Sequence, residues 1–349
     1  MFVLGCHRSG TSLLAGILAQ ALDTLCRQAP VETEASFALL PPQVDNPGGF
    51  QESQRIVQFN EQLLAALAID WQRPPLHPIP WQDAHLFPQL FQARARFADQ
   101  ALNPAWVDKD PRLCITYSAY QHVLLCRVPC AAVLRHPFEV AASLQARDGL
   151  SLSHGLLIWF LYNQHMARAV NLQQDVLVAY ETLLADPIKT GVSLATFLQR
   201  HAPFNSLEKA SDQEAWPAQL SAMLMDRVRS DWCRSSHAWP TTVLPQPEWR
   251  SLAEHCLQCY EQIREAGFTI QAAQAALACT PESVLCAYAI HGWRPPQPAV
   301  AQPEPLHDSG LVGDLAFARA DLQRLRQSTS WRLTAPLRWF GDRLRSKLA

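Results

Sequence analysis

Short apolar runs alternate with segments of helical periodicity along the first two hundred residues. Four runs are short and apolar, as buried strands are: Phe2–Leu4, Trp106–Val107, Ala131–Leu134 and Val176–Tyr180. Four segments carry apolar residues at helical spacing: Leu13–Leu22, Ile56–Leu67, Pro137–Ala146 and a stretch that continues from Tyr180 to about Gln199. Strands that alternate with helices predict an α/β fold with a parallel sheet covered on both faces.

The pattern changes beyond residue 205 and again near residue 292. The first of these regions is helical without a distinctive motif, and a proline-rich segment follows from Trp293 to Pro305. Beyond it, apolar residues first recur at heptad-like spacing and then line one face of a short segment that ends in Leu348. We predict three parts: a main domain over 1–291, a linker over 292–308 and an amphipathic helical tail over 309–349.

Charge separates the tail from the rest of the chain. The whole chain has a net charge of -2, which excludes the overall basic excess of a nucleic-acid-binding protein. Residues 309–349 contain eight Arg/Lys and three Asp, a net charge of +5, with Trp331 and Trp339 interleaved. This composition is typical of a helix that contacts an anionic membrane surface. A partner-helix or coiled-coil role and a flexible solvated tail are the open alternatives. We expect a cytoplasmic protein, with the inner face of the membrane as the candidate location of the tail.

The cysteines do not predict a disulfide or metal framework. Ten cysteines in a chain with 48% hydrophobic residues are expected to be free thiols, because disulfide frameworks belong to small secreted domains. Cys256 and Cys259 form a Cys-x-x-Cys pair, but Cys279 and Cys286 are spaced differently and the first pair lies in a helical pattern. No metal site is predicted.

A glycine-flanked loop, Gly5–Ser12, joins the first predicted strand to the first predicted helix. Its spacing is that of a phosphate-binding loop, whose backbone amides and helix N-terminus cradle a phosphate or sulfate. Thr11 stands where nucleotide hydrolases have a lysine on the β/γ-phosphates, which argues against an ordinary ATPase or GTPase. Arg8 can supply the missing positive charge. A strand-to-helix turn without a ligand is the alternative interpretation.

A second candidate anion site follows the strand Ala131–Leu134. Arg135 comes directly after this strand, and Ser143 lies eight residues later on the predicted helix. The two would face a phosphate from two sides, one with a charge and the other with a hydroxyl donor. Taken alone, Arg135 is also compatible with a solvated arginine at a strand end.

Together these segments resemble the sulfotransferases that use 3′-phosphoadenosine-5′-phosphosulfate (PAPS), and more closely their bacterial glycan-type members. The family's 5′-phosphosulfate loop is similar to Arg8–Leu14, and its 3′-phosphate ligands stand at the positions of Arg135 and Ser143. Further similarities lie between residues 2 and 200: Asn46–Glu52, Lys109–Arg112 and Tyr180–Pro187, where Thr182 departs from the family's aspartate. The resemblance implies a P-loop-like fold and sulfuryl transfer from PAPS to a carbohydrate hydroxyl of a surface polysaccharide or related glycan.

The resemblance also implies roles for individual residues. Seven residues would bind PAPS: Arg8, Ser9, Gly10, Thr11, Ser12, Arg135 and Ser143. Three would act in catalysis: Glu52 as the base for the acceptor hydroxyl, Arg8 on the transferred group, and Lys109 on the sulfonate or acceptor. A carboxylate that helps to start a helix and an ordinary strand-end lysine are the alternatives for Glu52 and Lys109. The chemistry needs no metal.

Four other features next to these motifs carry weaker signals. His7 and His136 adjoin the two cofactor motifs, and a packing role is the favoured interpretation of both. Asp110 with Arg112 is expected to form a structural ion pair or to contact a ligand, and the pair Arg147–Asp148 is expected to be solvated or near the adenosine or the acceptor.

Two other functions stay open: a P-loop small-molecule kinase, and a non-catalytic scaffold of the same fold in a polysaccharide assembly complex.

Overall fold

The structure is a computed structural model of the 349-residue chain. It describes residues 1–26, 52–81, 90–91, 93–94, 97, 106–186, 189–191, 193–194, 197 and 247–293. The motif residues 46–51, the helical pattern predicted from residue 205 up to 246, the linker from residue 294 and the tail 309–349 lie outside the described residues. The chain divides into two units, Met1–Ala299 and Val300–Ala349, and every described residue belongs to the first. The predicted domain boundaries therefore stay predictions.

Four parallel strands form the sheet, in the order β2-β1-β3-β4: β1 is Phe2–Leu4, β2 Asp108–Lys109, β3 Cys130–Leu134 and β4 Val176–Ala179. Val3 of β1 pairs with Lys109 on one side and with Ala131 on the other, so β1 occupies the interior of the sheet. The predicted parallel sheet is confirmed. The strand predicted at Trp106–Val107 lies two residues too early in the sequence, because Asp108 and Lys109 are the residues that pair with β1.

Helices cover the sheet, and their bounds among the described residues are as follows: α1 Thr11–Cys26, α2 Gln54–Ala65, α3 Leu113–Leu124, α4 Pro137–Asp148, α5 Leu152–Ala169, α6 Tyr180–Ala185, α7 Pro247–Glu265, α8 Ile270–Ala276 and α9 Glu282–Ile290. Local signals set several ends. The hydroxyls of Ser53 and Ser151 accept from backbone amides in the first turns of α2 and α5. Gly149 ends α4 in the left-handed conformation, with φ 70°. The helices predicted near residues 13, 56 and 137 are confirmed.

The helix predicted from Tyr180 to about Gln199 is too long. Helix α6 ends at Ala185, and Asp186 leaves the helical region with φ -142° and ψ 73°. Pro187 follows in the sequence, and a residue that precedes proline is disfavoured in the helical conformation. Helical backbone returns at residues 189–191.

Alternate residues of β1 pack into different layers. Phe2 and Leu4 belong to a large cluster with α2, α3, α5 and α7, whereas Val3 packs in a second cluster with Leu14 and Ile17 of α1. Helix α5 lies inside the large cluster and is buried on all sides. Within the described residues, no helix combines the length and apolarity needed to cross a bilayer.

Candidate functional site

The carboxyl ends of the four strands meet at one edge of the sheet, because the strands are parallel. The residues that follow them are Gly5, Asp110, Arg135 and Tyr180. Ligands of open parallel sheets bind at this edge. Both predicted anion-binding motifs therefore lie along the same edge.

The loop Gly5–Ser12 makes a tight turn into α1. The Ser9 amide donates to the Cys6 carbonyl at 3.1 Å, and the Leu14 amide donates to the Gly10 carbonyl at 3.1 Å, which begins the helix. Gly10 has φ 88°, and a Cβ there would lie 2.3 Å from the Tyr180 ring. Only glycine fits this position without strain. The Ser9 side chain is fully buried, and its hydroxyl has no hydrogen-bond partner among the described residues.

Arg8 connects the loop to the second motif. Its backbone has φ 64°, a left-handed conformation that costs a non-glycine residue roughly 1–2 kcal/mol. The Arg8 Nε donates to the Ser143 hydroxyl at 2.9 Å, and the Arg8 carbonyl accepts from Nη1 of Arg135 at 2.9 Å. The two segments lie more than a hundred residues apart in sequence, and these bonds join them.

Three contacts fix Arg135 at the end of β3. Its guanidinium lies over the Tyr180 ring at 4.4 Å and donates through Nε to Glu139 at 2.8 Å. The Trp159 indole donates to the Arg135 carbonyl at 2.8 Å. The Arg135 side chain keeps 15% of its surface exposed.

Glu52 and Lys109, both predicted to act in catalysis, contact each other. The Lys109 ammonium pairs with Oε1 of Glu52, and the two side chains are only 4% and 10% exposed. Oε2 of Glu52 is buried without a hydrogen-bond partner among the described residues. A buried carboxylate oxygen without a partner is costly, and it is a suitable acceptor for a donor that a ligand brings.

Asp108 holds this pair in register. Its carboxylate accepts from the Ser53 amide at 3.1 Å, from the Ser53 hydroxyl and from the Lys109 amide at 2.8 Å. These bonds join Ser53, the residue after Glu52, to Asp108 and Lys109, the two residues of β2 before Asp110. Burial raises the pKa of Asp108 to about 6, although the hydrogen bonds act in the opposite direction.

His7 packs between the loop and the helices. Its Nε2 lies 3.2 Å from the Tyr162 hydroxyl, and that hydroxyl donates its single hydrogen to the Trp71 carbonyl at 3.0 Å. The Tyr162 oxygen must therefore accept from His7, so Nε2 carries a hydrogen. Its ring also stacks on Trp71, at 4.5 Å between centroids. Burial holds the pKa of His7 well below its usual range, and four nearby cations act in the same direction: Arg112, Arg147, Lys109 and Arg8. The His7 ring is therefore neutral and packed at ordinary pH.

His136 is also held in a packed position. Its ring lies edge-on to Tyr260 at 5.0 Å, and its backbone amide donates to Glu181 at 3.1 Å. Burial lowers the pKa of His136 below its ordinary value. The ring therefore favours the neutral form.

A buried polar network supports the segment after β2. Arg112 pairs with Asp110 at 3.0 Å, as the sequence led us to expect, and also with Glu61 at 2.9 Å. Asn60 donates to Asp110 at 3.0 Å and accepts from Thr116 at 2.7 Å. The sequence did not reveal Asn60 or Thr116, because isolated polar residues within helical patterns carry no motif.

The structure brings together most of the predicted site residues. Arg8 contacts both Ser143 and Arg135, and Glu52 contacts Lys109. Thr11 begins α1 and is buried at 4% exposure, whereas Ser12 is partly buried. Sequence reasoning missed Trp71, Tyr162 and Asp108, none of which lies in a recognisable motif.

The Cys-x-x-Cys pair of α7 has other partners. Cys256 donates to the Leu156 carbonyl, and Cys259 donates to the Ala276 carbonyl at 3.2 Å. Eight cysteines of the described part of the chain are free thiols: Cys6, Cys114, Cys126, Cys130, Cys256, Cys259, Cys279 and Cys286. In the same part of the chain, no group of three or more His, Cys, Asp or Glu side chains is placed to hold a metal ion.

Comparison with known proteins gives one distant structural neighbour. No protein-family model matches the chain, and no curated protein matches it by sequence. A solved structure, the sulfotransferase domain of the olefin synthase from Synechococcus PCC 7002, aligns with 72% of this chain and 92% of that domain. The alignment has 17% sequence identity and a TM-score of 0.34. The functional assignment therefore rests on the residues of the site itself.

Proposed function

We propose that this protein is a sulfotransferase that uses PAPS to sulfate a hydroxyl group of a carbohydrate acceptor. The observation that carries the proposal is the set of hydrogen bonds that joins Arg8, Ser143 and Arg135 at the carboxyl edge of the sheet. Two segments that resemble the two anion-binding motifs of one family thus form a single site. A solvated strand-end arginine would not make these bonds, which supports the proposal.

The loop is suited to the 5′-phosphosulfate of PAPS. Gly10 lets the backbone approach closely, and the first amides of α1 point toward the loop with the positive end of the helix dipole. The buried Ser9 hydroxyl, which has no partner among the described residues, is available to donate to an anionic oxygen. These features fit a phosphosulfate, and Arg8 with Thr11 and Ser12 adds further donors.

Arg135 and Ser143 are suited to the 3′-phosphate. Arg135 provides a charged, planar donor group, and Ser143 provides a hydroxyl on the following helix, next to the Arg8 side chain. ATP and GTP, the nucleotides that P-loop hydrolases and kinases bind, carry no 3′-phosphate. The Arg135–Ser143 pair and the absence of a lysine at position 11 therefore favour PAPS over ATP or GTP as the bound nucleotide.

When bound, PAPS supplies the sulfuryl group. The residues of the chain then contribute position and charge, because sulfuryl transfer resembles phosphoryl transfer and needs little covalent chemistry from the protein. Arg8 and the loop amides stabilise negative charge on the transferred group.

Glu52 is the proposed base for the acceptor hydroxyl. Oε1 is held by Lys109, so Oε2 is the oxygen that can accept the proton from the acceptor. Lys109 keeps the carboxylate in place and lies beside β1, within reach of the loop. The neutral, packed histidines are not needed for this step.

Sulfuryl transfer itself is the test of this proposal. The protein is incubated with radiolabelled PAPS and a panel of bacterial polysaccharides and oligosaccharides, and label in the saccharide is measured. We expect acceptor-dependent transfer that the Arg8→Ala variant abolishes. Binding of the nucleotide without transfer to any acceptor of the panel would instead favour a non-catalytic scaffold.

A further inference from the structure

Arg135, the proposed ligand of the 3′-phosphate, already has acceptors within this chain. Its Nε donates to Oε2 of Glu139 at 2.8 Å, and its Nη1 donates to the Arg8 carbonyl at 2.9 Å. Glu139 lies one helical turn away in the first turn of α4. An incoming phosphate therefore meets an arginine whose charge is already paired with a carboxylate.

The geometry of the guanidinium determines what a phosphate must replace. A guanidinium binds an oxyanion best through two parallel N–H donors on one edge of its plane. One edge consists of Nε and Nη2, and the other consists of Nη1 and Nη2. Nε has a single hydrogen, which Glu139 already accepts, so a phosphate that uses the Nε–Nη2 edge has to displace Glu139. Each Nη carries two hydrogens, so Nη1 can keep its bond to the Arg8 carbonyl when a phosphate binds.

Of the two acceptors, Glu139 is the one that can leave. The Arg8 carbonyl belongs to the loop backbone, which the Arg8–Ser143 bond and the packing of His7 hold in place. The Glu139 carboxylate ends a flexible side chain that is 18% exposed, so it can rotate toward solvent. Displacement of Glu139 leaves the loop intact.

Arg135 does not depend on Glu139 for its position. The Tyr180 ring lies under its guanidinium at 4.4 Å, the Arg8 carbonyl accepts from Nη1, and Trp159 holds the Arg135 carbonyl. Loss of the Glu139 charge would therefore remove a competing anion from the site while the arginine stays ordered.

We propose that Glu139 is a resident counter-carboxylate of Arg135, which a 3′-phosphate displaces and which thereby sets the affinity and selectivity for 3′-phosphorylated nucleotides. This inference rests on the proposed function, because it assumes that the 3′-phosphate binds at Arg135. A phosphate carries enough charge to replace the carboxylate. A nucleotide with a hydroxyl at that position, such as adenosine 5′-phosphate, leaves the Arg135–Glu139 pair intact and gains nothing from Arg135.

The test compares Glu139→Gln with the unchanged protein by calorimetric titration of the full chain. Adenosine 3′,5′-bisphosphate and adenosine 5′-phosphate are the two ligands. Glu261→Gln is the matched control, because it removes the same charge from α7, where Glu261 pairs with Arg264. Thermal unfolding of each variant checks that α4 keeps its fold without the acid in its first turn.

We expect Glu139→Gln to bind the bisphosphate about three- to tenfold more tightly, the range that corresponds to loss of one partly exposed ion pair. Affinity for adenosine 5′-phosphate should not change, and Glu261→Gln should match the unchanged protein for both ligands. Unchanged or weaker binding of the bisphosphate by a folded Glu139→Gln variant would overturn the inference, as would an equal gain for both ligands. If the unchanged protein binds no bisphosphate at millimolar concentration, the proposed function fails first.

Discussion

At the scale of single residues, the site combines ionic groups that are buried in pairs. Lys109 and Glu52 satisfy each other, and Asp108 accepts three hydrogen bonds from its neighbours. A buried charge without a partner is expensive, so each member of such a pair constrains the other. This mutual constraint gives two predictions, one about catalysis and one about pH.

The first prediction concerns the proposed base. Glu52→Gln keeps an oxygen near Lys109 but cannot accept the proton of the acceptor, so we expect sulfuryl transfer to fall by about 10²–10⁴-fold. Affinity for adenosine 3′,5′-bisphosphate should stay within twofold of the unchanged protein, about the noise of such comparisons. Initial rates of transfer and calorimetry give the two numbers.

Glu61→Gln is the control, because Glu61 is an exposed acid of α2 that pairs with Arg112, the residue just before α3. If Glu52→Gln keeps full transfer with intact nucleotide affinity, another residue is the base.

The second prediction concerns Asp108, whose pKa in the folded protein is about 6 against an ordinary value of 3.8. The folded state binds this proton more tightly than the unfolded state, so Asp108 favours the fold below pH 3.8 and loses this contribution as the pH rises through 6. The loss corresponds to about 3 kcal/mol at roughly 1.4 kcal/mol per pKa unit. Asp108→Asn cannot titrate and should not show it.

Urea unfolding of both proteins between pH 4 and pH 7 measures the effect. The difference in unfolding free energy, unchanged protein minus Asp108→Asn, should decrease with rising pH. A difference that is constant over this range would contradict the assignment. Asn can still accept both backbone amides and donate to the Ser53 hydroxyl, so the variant is expected to fold.

At the scale of elements, the sequence predicted best the segments that have one polar face. Helix α2 was predicted from the apolar positions between Ile56 and Leu67, because its other face meets solvent. Helix α5 was missed: it is buried on all sides and so shows no alternation of polar and apolar faces. Strand β2 was displaced because its residues are Asp and Lys, whose polar groups find partners only in the folded protein.

The same limit applies to the candidate site. Local sequence carries the loop Gly5–Ser12 and the spacing from Arg135 to Ser143, since both depend on short segments. It does not carry the bond from Arg135 to the Arg8 carbonyl or the His7–Tyr162–Trp71 chain, which arise when distant elements pack together. Contacts of this kind become visible only in three dimensions.

The close approach of α4 and α5 gives a prediction at this scale. A Cβ at Gly155 would lie 2.7 Å from the Ala141 Cα, a backbone atom that cannot move without shifting α4. We expect Gly155→Ala to destabilise the fold by about 1–3 kcal/mol, the usual cost of overpacking a core. Gln145→Ala, at an exposed position of α4, is the control and should unfold at the same temperature as the unchanged protein. Equal melting temperatures for all three proteins would contradict the packing described here.

At the scale of the whole molecule, the chain combines an acidic main part with a basic tail. Residues 309–349 have a net charge of +5, whereas the whole chain has -2. We propose that this tail holds the protein against an anionic membrane surface. The contribution is expected to be about 1 kcal/mol for each basic residue near the surface.

Flotation with vesicles that contain anionic lipid tests the role of the tail. The full chain is compared with a variant in which Arg338, Arg343, Arg345 and Lys347 are replaced by Gln. We expect the full chain to float with the vesicles and the variant to remain at the bottom, with less flotation of the full chain at high salt. A full chain that stays at the bottom would contradict the membrane role and leave a partner-helix or coiled-coil role, or a flexible solvated tail. Flotation of both proteins would show that these four residues do not carry the binding.

The central claim is that the carboxyl edge of the sheet recognises a nucleotide with both a 5′- and a 3′-phosphate. Calorimetric titration of the unchanged protein with adenosine 3′,5′-bisphosphate and with adenosine 5′-phosphate tests this most directly. We predict that the bisphosphate binds at least about tenfold more tightly, because charge-assisted bonds from Arg135 and Ser143 add to those of the loop. No binding at millimolar bisphosphate, or equal affinity for the two nucleotides, would contradict the claim.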